Sequence, residues 1–236
     1  MLRSRIGIAL LATALIVLIA CSFVGLPQLF GNGLTVTSAT IPSTWRSHRP
    51  PASPVADSSF GSGLLLQSGD LHQLGIRVGG AIQRQDGGQK LTGCTGDQTM
   101  AGLINGEASD ASFASALWRS TTTTNGDAIL LRESILRVPT SAAADRHAWA
   151  LIDQLTGCSF RRHGQDCRLG RPMNVPTEVG RAVRLVAYGP DGSVVGGVGV
   201  FFDQQTVGVV DLHAPGIEKP QVALDSLSRA AVRRIS

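Results

Sequence analysis

The chain has 236 residues, with 21 Lys and Arg against 17 Asp and Glu, a formal net charge of +4. That excess would fall to +2 if Arg3 and Arg5 left with a leader, too little for the basic footprint of a nucleic-acid binder, so no nucleic-acid partner is expected. Hydrophobic residues make up 43% of the chain, enough for a buried core and too many for a disordered tail, though aromatic side chains are few.

The N-terminus has the layout of an export signal. Arg3 and Arg5 precede an apolar run from Ile6 to Ala20, the charged and apolar regions of a secretory leader. The arginines stay on the cytoplasmic side, so the rest of the chain is moved outward. Leu18-Ile19-Ala20-Cys21 resembles the lipobox of bacterial lipoproteins. That resemblance implies cleavage after residue 20, a diacylglycerol on the Cys21 thiol, and a lipid anchor on the outer face of the cell membrane. The run stays apolar through Ser22-Phe23-Val24-Gly25-Leu26, and residues 6–26 are about as long as a ~30 Å hydrocarbon core requires. An uncleaved signal anchor is therefore the alternative. Both readings leave the remaining chain outside and tethered to the membrane.

Residues 21–62 read as a linker. Pro42, Pro50, Pro51 and Pro54 stand among Ser, Thr and Ala without periodicity, and such stretches act as extended spacers. A folded domain over 63–236 comes next. Ser68 and Asp70 mark a helix start. Residues 80–85 read as a strand, Asp86-Gly87-Gly88 as a turn, and 99–104 as a short helix. Ala114, Ala116 and Trp118 suggest a strand. Residues 127–138 form a longer one, with Ile129, Leu131 and Ile135 on one face by period two.

The clearest helix spans 141–155. Thr140 is its N-cap after Pro139, Gly157 stops it, and Ala144, Ala148, Leu151, Ile152 and Leu155 form one stripe. Beyond it lies a meander: strand 182–188, the turn Gly189-Pro190-Asp191-Gly192, strand 193–202, a turn at 203–206, and strand 207–212. Residues 219–235 close the chain as an amphipathic helix, with Val222, Leu224, Leu227, Ala231 and Ile235 on its apolar side. Strands and helices mix without βαβ alternation. The expected class is α+β, a single exported domain with an antiparallel sheet and helices packed on one face.

Beyond Cys21 the cysteines are Cys94, Cys158 and Cys167. In an oxidising compartment one disulfide and one leftover thiol are expected. Cys158–Cys167 would close a short local loop, and Cys94–Cys158 would tie distant segments; the spacing does not choose between them. Scarce lysine (Lys90 and Lys219 alone) with abundant Ala and Gly matches a high-GC genome such as an actinobacterium's.

The order of these features resembles the actinobacterial sensor-domain lipoproteins, relatives of the PknH-like extracellular domain. Cys94 precedes a short helix. A strand then leads to Ser141-Ala142-Ala143-Ala144, the Trp149 helix and Cys158. The meander ending Val207-Gly208-Val209-Val210-Asp211 and a closing helix complete the pattern, over about 64–235. The resemblance implies a ligand-sensing extracytoplasmic domain with structural disulfides and no chemistry of its own, and it makes Cys94 and Cys158 a family-like pair. Relatives with two disulfides differ from this chain, which has three cysteines beyond the lipobox. With no kinase present, sensing is expected to be relayed by a partner, or the domain to serve transport or envelope maintenance instead.

Several residues carry candidate chemistry. Cys158, His163 and Cys167, with Cys94, make a Cys3His donor set; in an exported chain a disulfide outweighs zinc, so no metal and no cofactor are expected. Ser68, Asp70 and His72 are the residue types of a hydrolase triad, but they lie too close together for its geometry and read as cap residues. Glu133 falls among apolar neighbours, where it is either a ligand contact or the partner of an arginine such as Arg132 or Arg137. Trp149 flanks the helix stripe as packing cover or a ligand platform. Arg161, Arg162, Arg168 and Arg171 form, with His163, the densest basic patch. It is either a solvated loop or a grip for anionic headgroups and cell-wall polymers. The function these features support is a non-enzymatic, membrane-anchored, sensor-like binding domain. A structural or assembly lipoprotein docking a protein partner is the alternative. A hydrolase would need His72, His147 or His213 to converge with a Ser and an Asp.

Overall fold

The computed structural model describes residues 60–76, 78–104, 110–119, 129–162 and 164–236, all within one compact unit, Ser53–Ser236. The leader, Cys21, the linker as far as residue 59, and His163 lie outside the described residues.

After a 3-10 turn at Ser62–Leu64, the elements run α1 (Ser68–Gln73), β1 (Ile82–Arg84), α2 (Met100–Leu103), β2 (Ser112–Arg119), β3 (Leu130–Arg137), α3 (Ser141–Leu155), β4 (Ser159–Arg162), β5 (Gln165–Leu169), β6 (Met173–Val175), β7 (Arg181–Tyr188), β8 (Val194–Asp203), β9 (Thr206–His213) and α4 (Pro220–Ile235). The strands form one sheet in the order β1-β2-β3-β9-β8-β7-β5-β4, with β6 also paired to β7. Every pairing is antiparallel. The α+β class with an antiparallel sheet therefore holds.

The helices do not share one face. On β9, Val207 and Val209 pack with the α3 stripe, whereas Val210 and Leu212 pack with Leu224 and Leu227 of α4. Successive strand residues point to opposite faces, so α3 and α4 cover opposite sides of the sheet. The valine run explains this: a strand apolar at both parities needs cover on both faces, and every residue of β9 is buried.

Both long helices arise from local chemistry. The Thr140 side chain accepts a hydrogen bond from the Ala143 N–H at 3.2 Å, and the buried stripe of α3 is Ala144, Ala148, Leu151, Ile152 and Leu155. Helix α4 starts with Pro220 in its first turn and buries Leu224, Leu227, Ser228 and Ala231. Val222, expected on its apolar side, is exposed. The helix sits close on β8 because that strand presents glycines: a Cβ at Gly197 would come within 2.7 Å of Leu224, and one at Gly199 within 2.3 Å of the Ser228 hydroxyl.

The same face holds Glu133, in line with Leu131 and Ile135. It is fully buried. Its expected arginine partner is absent from its hydrogen bonds: Oε2 accepts the Leu66 N–H at 2.7 Å, and Arg132 turns to the other face to meet Asp211. Oε1 has no partner among the described residues. Burial pushes the carboxyl up to about 8 from an ordinary 4.5, and the Asp70 charge adds to the rise. The Leu66 bond and the Arg234 charge only partly oppose it. Asp70 itself accepts bonds from Arg234 and from the Gln67 N–H, so it serves as the reciprocal cap of α1. Ser68 is the first helical residue, and the N-cap is Gln67.

The raised value of Glu133 has a sign. Between pH 4.5 and about 8 the unfolded carboxyl releases its proton while the folded one keeps it. Stability present below that window is therefore lost across it, by up to about 1.4 kcal/mol per pH unit. Urea unfolding at pH 5 and pH 8 checks this: Glu133→Gln is expected to remove most of the decline, and parallel profiles for variant and parent would contradict it.

Candidate binding site

The basic segment after α3 is a strand hairpin, not a solvated loop. Helix α3 ends at Leu155, and Gly157, with φ of +70°, redirects the chain. Cys158 is joined to Cys94, 64 residues away, with Cα atoms 6.0 Å apart. Strands β4 and β5 then pair from Ser159–Arg168 to Arg162–Gln165.

This hairpin lies folded over the α3 side of the sheet. Arg162 Nη2 donates to Asp211 Oδ2 at 2.6 Å. Yet β4 and β9 are four places apart in the strand order, roughly 19 Å along a sheet at about 4.8 Å per strand. Only a hairpin curled back across the face brings the two groups together. Asp211 is 3% exposed and Arg162 11%, so water screens the pair little. Arg132 Nη1 approaches the same carboxylate at 3.6 Å. The Arg162 guanidinium also sits 5.3 Å above the Phe160 ring. That ring presses on Gly93, where a Cβ would come within 2.7 Å of it. Disulfide, ring contact and ion pair fix successive points along β4.

Curling the hairpin leaves a hollow of about 670 Å³ at this end of the sheet, within the usual range for small-molecule sites. The start of β4 forms one wall, the end of β5 with Gly170 and Arg171 another, and the Tyr188–Gly192 turn a third. Across it runs a row set by register: Ser159 faces Arg168, and Arg168 faces Tyr188. The Tyr188 ring lies on Gly170, where a Cβ would stand 3.0 Å from it, and remains 41% exposed. Among the described residues neither Arg168 nor Arg171 has an acidic partner. Asp166, also in the lining, pairs with Arg161 at 3.5 Å.

The structure thus divides the expected basic patch. Arg168 and Arg171 share the groove. Arg161 stands outside its lining, and Arg162 is a largely covered structural group held by Asp211. Trp149 is elsewhere: 45% exposed on α3, it meets the Phe202 ring edge-on at 6.1 Å. Tyr188 and Ser159 were not among the expected site residues. The one cue for Tyr188 is that it is the chain's single tyrosine, placed just before the Gly189-Pro190 turn.

The Cys94–Cys158 pairing takes two of the four donors from the Cys3His set. Cys167 is buried and free. Burial pushes its thiol up, only partly opposed by the Arg162 charge, so it is a poor nucleophile. His72, His147 and His213 stand on α1, α3 and β9 and line no part of the groove.

These features define a class: an α+β domain on one antiparallel sheet, with a pinned hairpin shaping an open groove at its edge. The solved extracellular domain of PknH from Mycobacterium tuberculosis is similar in fold, with a TM-score of 0.51 over 74% of this chain and 93% of that one, at 12% identity. No family model matches the chain, and no curated protein matches it. No described helix is long and apolar enough to cross a membrane.

Asp211→Asn would leave two guanidiniums beside an uncharged amide. Urea unfolding is expected to show a loss of about 3–5 kcal/mol, much of it recovered in the apolar double variant Asp211→Leu/Arg162→Met. A loss below about 1 kcal/mol for the single variant would mean that the pair does not hold the hairpin.

Proposed function

We propose that this chain is an extracytoplasmic sensor-type binding domain, held by a lipid on Cys21 at the outer face of the cell membrane and working without catalysis of its own. The observation that carries this reading is the groove. It joins two arginines that lack acidic partners among the described residues, an exposed tyrosine and a glycine-rich floor, on walls anchored by a disulfide and a largely buried ion pair. A preformed concave surface with few convergent polar groups is the usual form of a ligand site. The leader and lipobox pattern, the disulfide and the likeness in fold to an extracellular domain support an extracytoplasmic position. Occupancy would be relayed by a membrane partner.

The full-length chain extracted from membranes tests both halves. Its intact mass without reduction is expected to begin at a diacylglyceryl-modified Cys21 and to lack the hydrogens of two thiols. Thermal unfolding with envelope lipids, glycans and peptidoglycan fragments is expected to reveal a stabilising fraction, whose effect disappears when Ser159→Trp fills the groove. An unmodified, uncleaved N-terminus would overturn the lipid anchor. Absence of any stabilising fraction, or one indifferent to Ser159→Trp, would overturn the groove as the binding site.

A further inference from the structure

We infer that the groove takes a phosphorylated sugar or cyclitol, its phosphoryl group held by Arg168 and Arg171 and its ring laid on Tyr188. The inference rests on the groove being the binding site and specifies what enters it.

Charge points to an anion. Other arginines near carboxylates are satisfied: Arg162 and Arg132 by Asp211, Arg84 by Asp86, Arg184 by Asp225, Arg234 by Asp70 and Arg161 by Asp166. Arg168 and Arg171 have no such partner among the described residues, a condition they share with Arg146 and Arg181 among others; what sets them apart is that both line this hollow. Like charges gathered in a concave wall raise the local concentration of anions.

Geometry favours phosphoryl over carboxylate. Arg168 lies in β5, while Arg171 comes three residues later, beyond Gly170, so the two enter from different backbone positions. A carboxylate also accepts two guanidiniums, as Asp211 does Arg162 and Arg132, but it brings a single negative charge to the two bidentate forks. A phosphate monoester keeps three outer oxygens and nearly two negative charges at neutral pH, and so accommodates two such forks. Asp166 on the same lining disfavours a ligand with charge spread along its length.

The remaining space asks for a ring. A volume of about 670 Å³ far exceeds what a phosphate ion fills. Tyr188 is backed by the Gly170 backbone and 41% exposed, a flat apolar surface beside Arg168 suited to the C–H face of a polyhydroxylated ring. The turn that carries Gly189 and Gly192 closes this side of the hollow, its Gly189 and Gly192 N–H groups bonded within the turn to the Ser193 and Gly189 carbonyls. The ligand can be a free ester or a lipid headgroup that carries a phosphate monoester on its ring, since both present the same dianion beside a ring; the phosphodiester that links an ordinary phospholipid headgroup has one charge and two free oxygens and does not.

Calorimetry on the full-length chain in phosphatidylcholine nanodiscs tests this, with glucose 1-phosphate, myo-inositol 1-phosphate, inorganic phosphate and glucose as probes. At least one ester is expected to bind tenfold or more tighter than inorganic phosphate, and glucose not to bind measurably. Arg168→Gln/Arg171→Gln should abolish binding, and Tyr188→Ala should reduce the ester to the level of inorganic phosphate. Unchanged thermal unfolding of these variants will show that they fold. Weaker ester binding in discs that also contain phosphatidylinositol 4-phosphate supports the headgroup source, and unchanged binding there supports the free ester. No ester binding, or binding that persists in the double arginine variant, overturns the inference. If a neutral glycan instead binds and Ser159→Trp abolishes it, the phosphoryl assignment falls while the groove reading stands. If Ser159→Trp affects nothing that binds, both fall.

Discussion

The guanidinium of Arg162 and the carboxylate of Asp211 meet 2.6 Å apart although their strands are four places apart in the sheet. That contact constrains the whole edge of the domain. It obliges β4 and β5 to turn back over the α3 face rather than extend the sheet. The disulfide between Cys94 and Cys158 holds the start of the same strand, and Phe160 fills the gap over Gly93 between them. A buried ion pair adds little net stability over apolar packing. Its value here is in specifying where the hairpin lies, and so the width of the groove beside it.

The interior shows how that edge is left free to form a site. Strands β8 and β9 are sandwiched between α3 and α4, and the glycines of β8 let α4 approach to contact distance. Toward β1 the segment from Phe60 to Leu66 lies on the sheet, with a hollow of about 310 Å³ between it and β1, and is tied down through the Leu66 N–H bond to Glu133 and through Arg234, which bonds both Asp70 and the Gly63 carbonyl. The first described residues of the domain are thus fixed by polar contacts beneath apolar cover. The opposite edge has only two residue pairs between β5 and β7, and there the backbone opens into a hollow.

Much of this fold is written in local pattern. The α3 stripe, its Thr140 cap and the three-strand meander come from spacing and turn chemistry, because each depends on residues near in sequence. The hairpin at 159–169 was hidden by its charge. Phe160, Cys167 and Leu169 are apolar, but Arg161, Arg162, Asp166 and Arg168 among them suggest solvent, and the burial of Arg162 depends on Asp211, 49 residues away. The placement of α3 and α4 on opposite faces had a visible sign in Val207, Val209 and Val210, apolar at both parities. Arg168 and Arg171 were legible as a basic patch. Their union with Ser159 and Tyr188 was not, because that row exists only through the registers of β4, β5 and β7.

Hydrogen exchange on the full-length chain, read by mass spectrometry, probes the pinned hairpin most directly. With Cys94 and Cys158 both replaced by Ser, amides of residues 158–171 should exchange at least tenfold faster than in the parent, while those of 194–213 keep their protection. Equal protection of 158–171 in the two proteins would mean that the hairpin holds its place without the cross-link, and that the groove is shaped by something else.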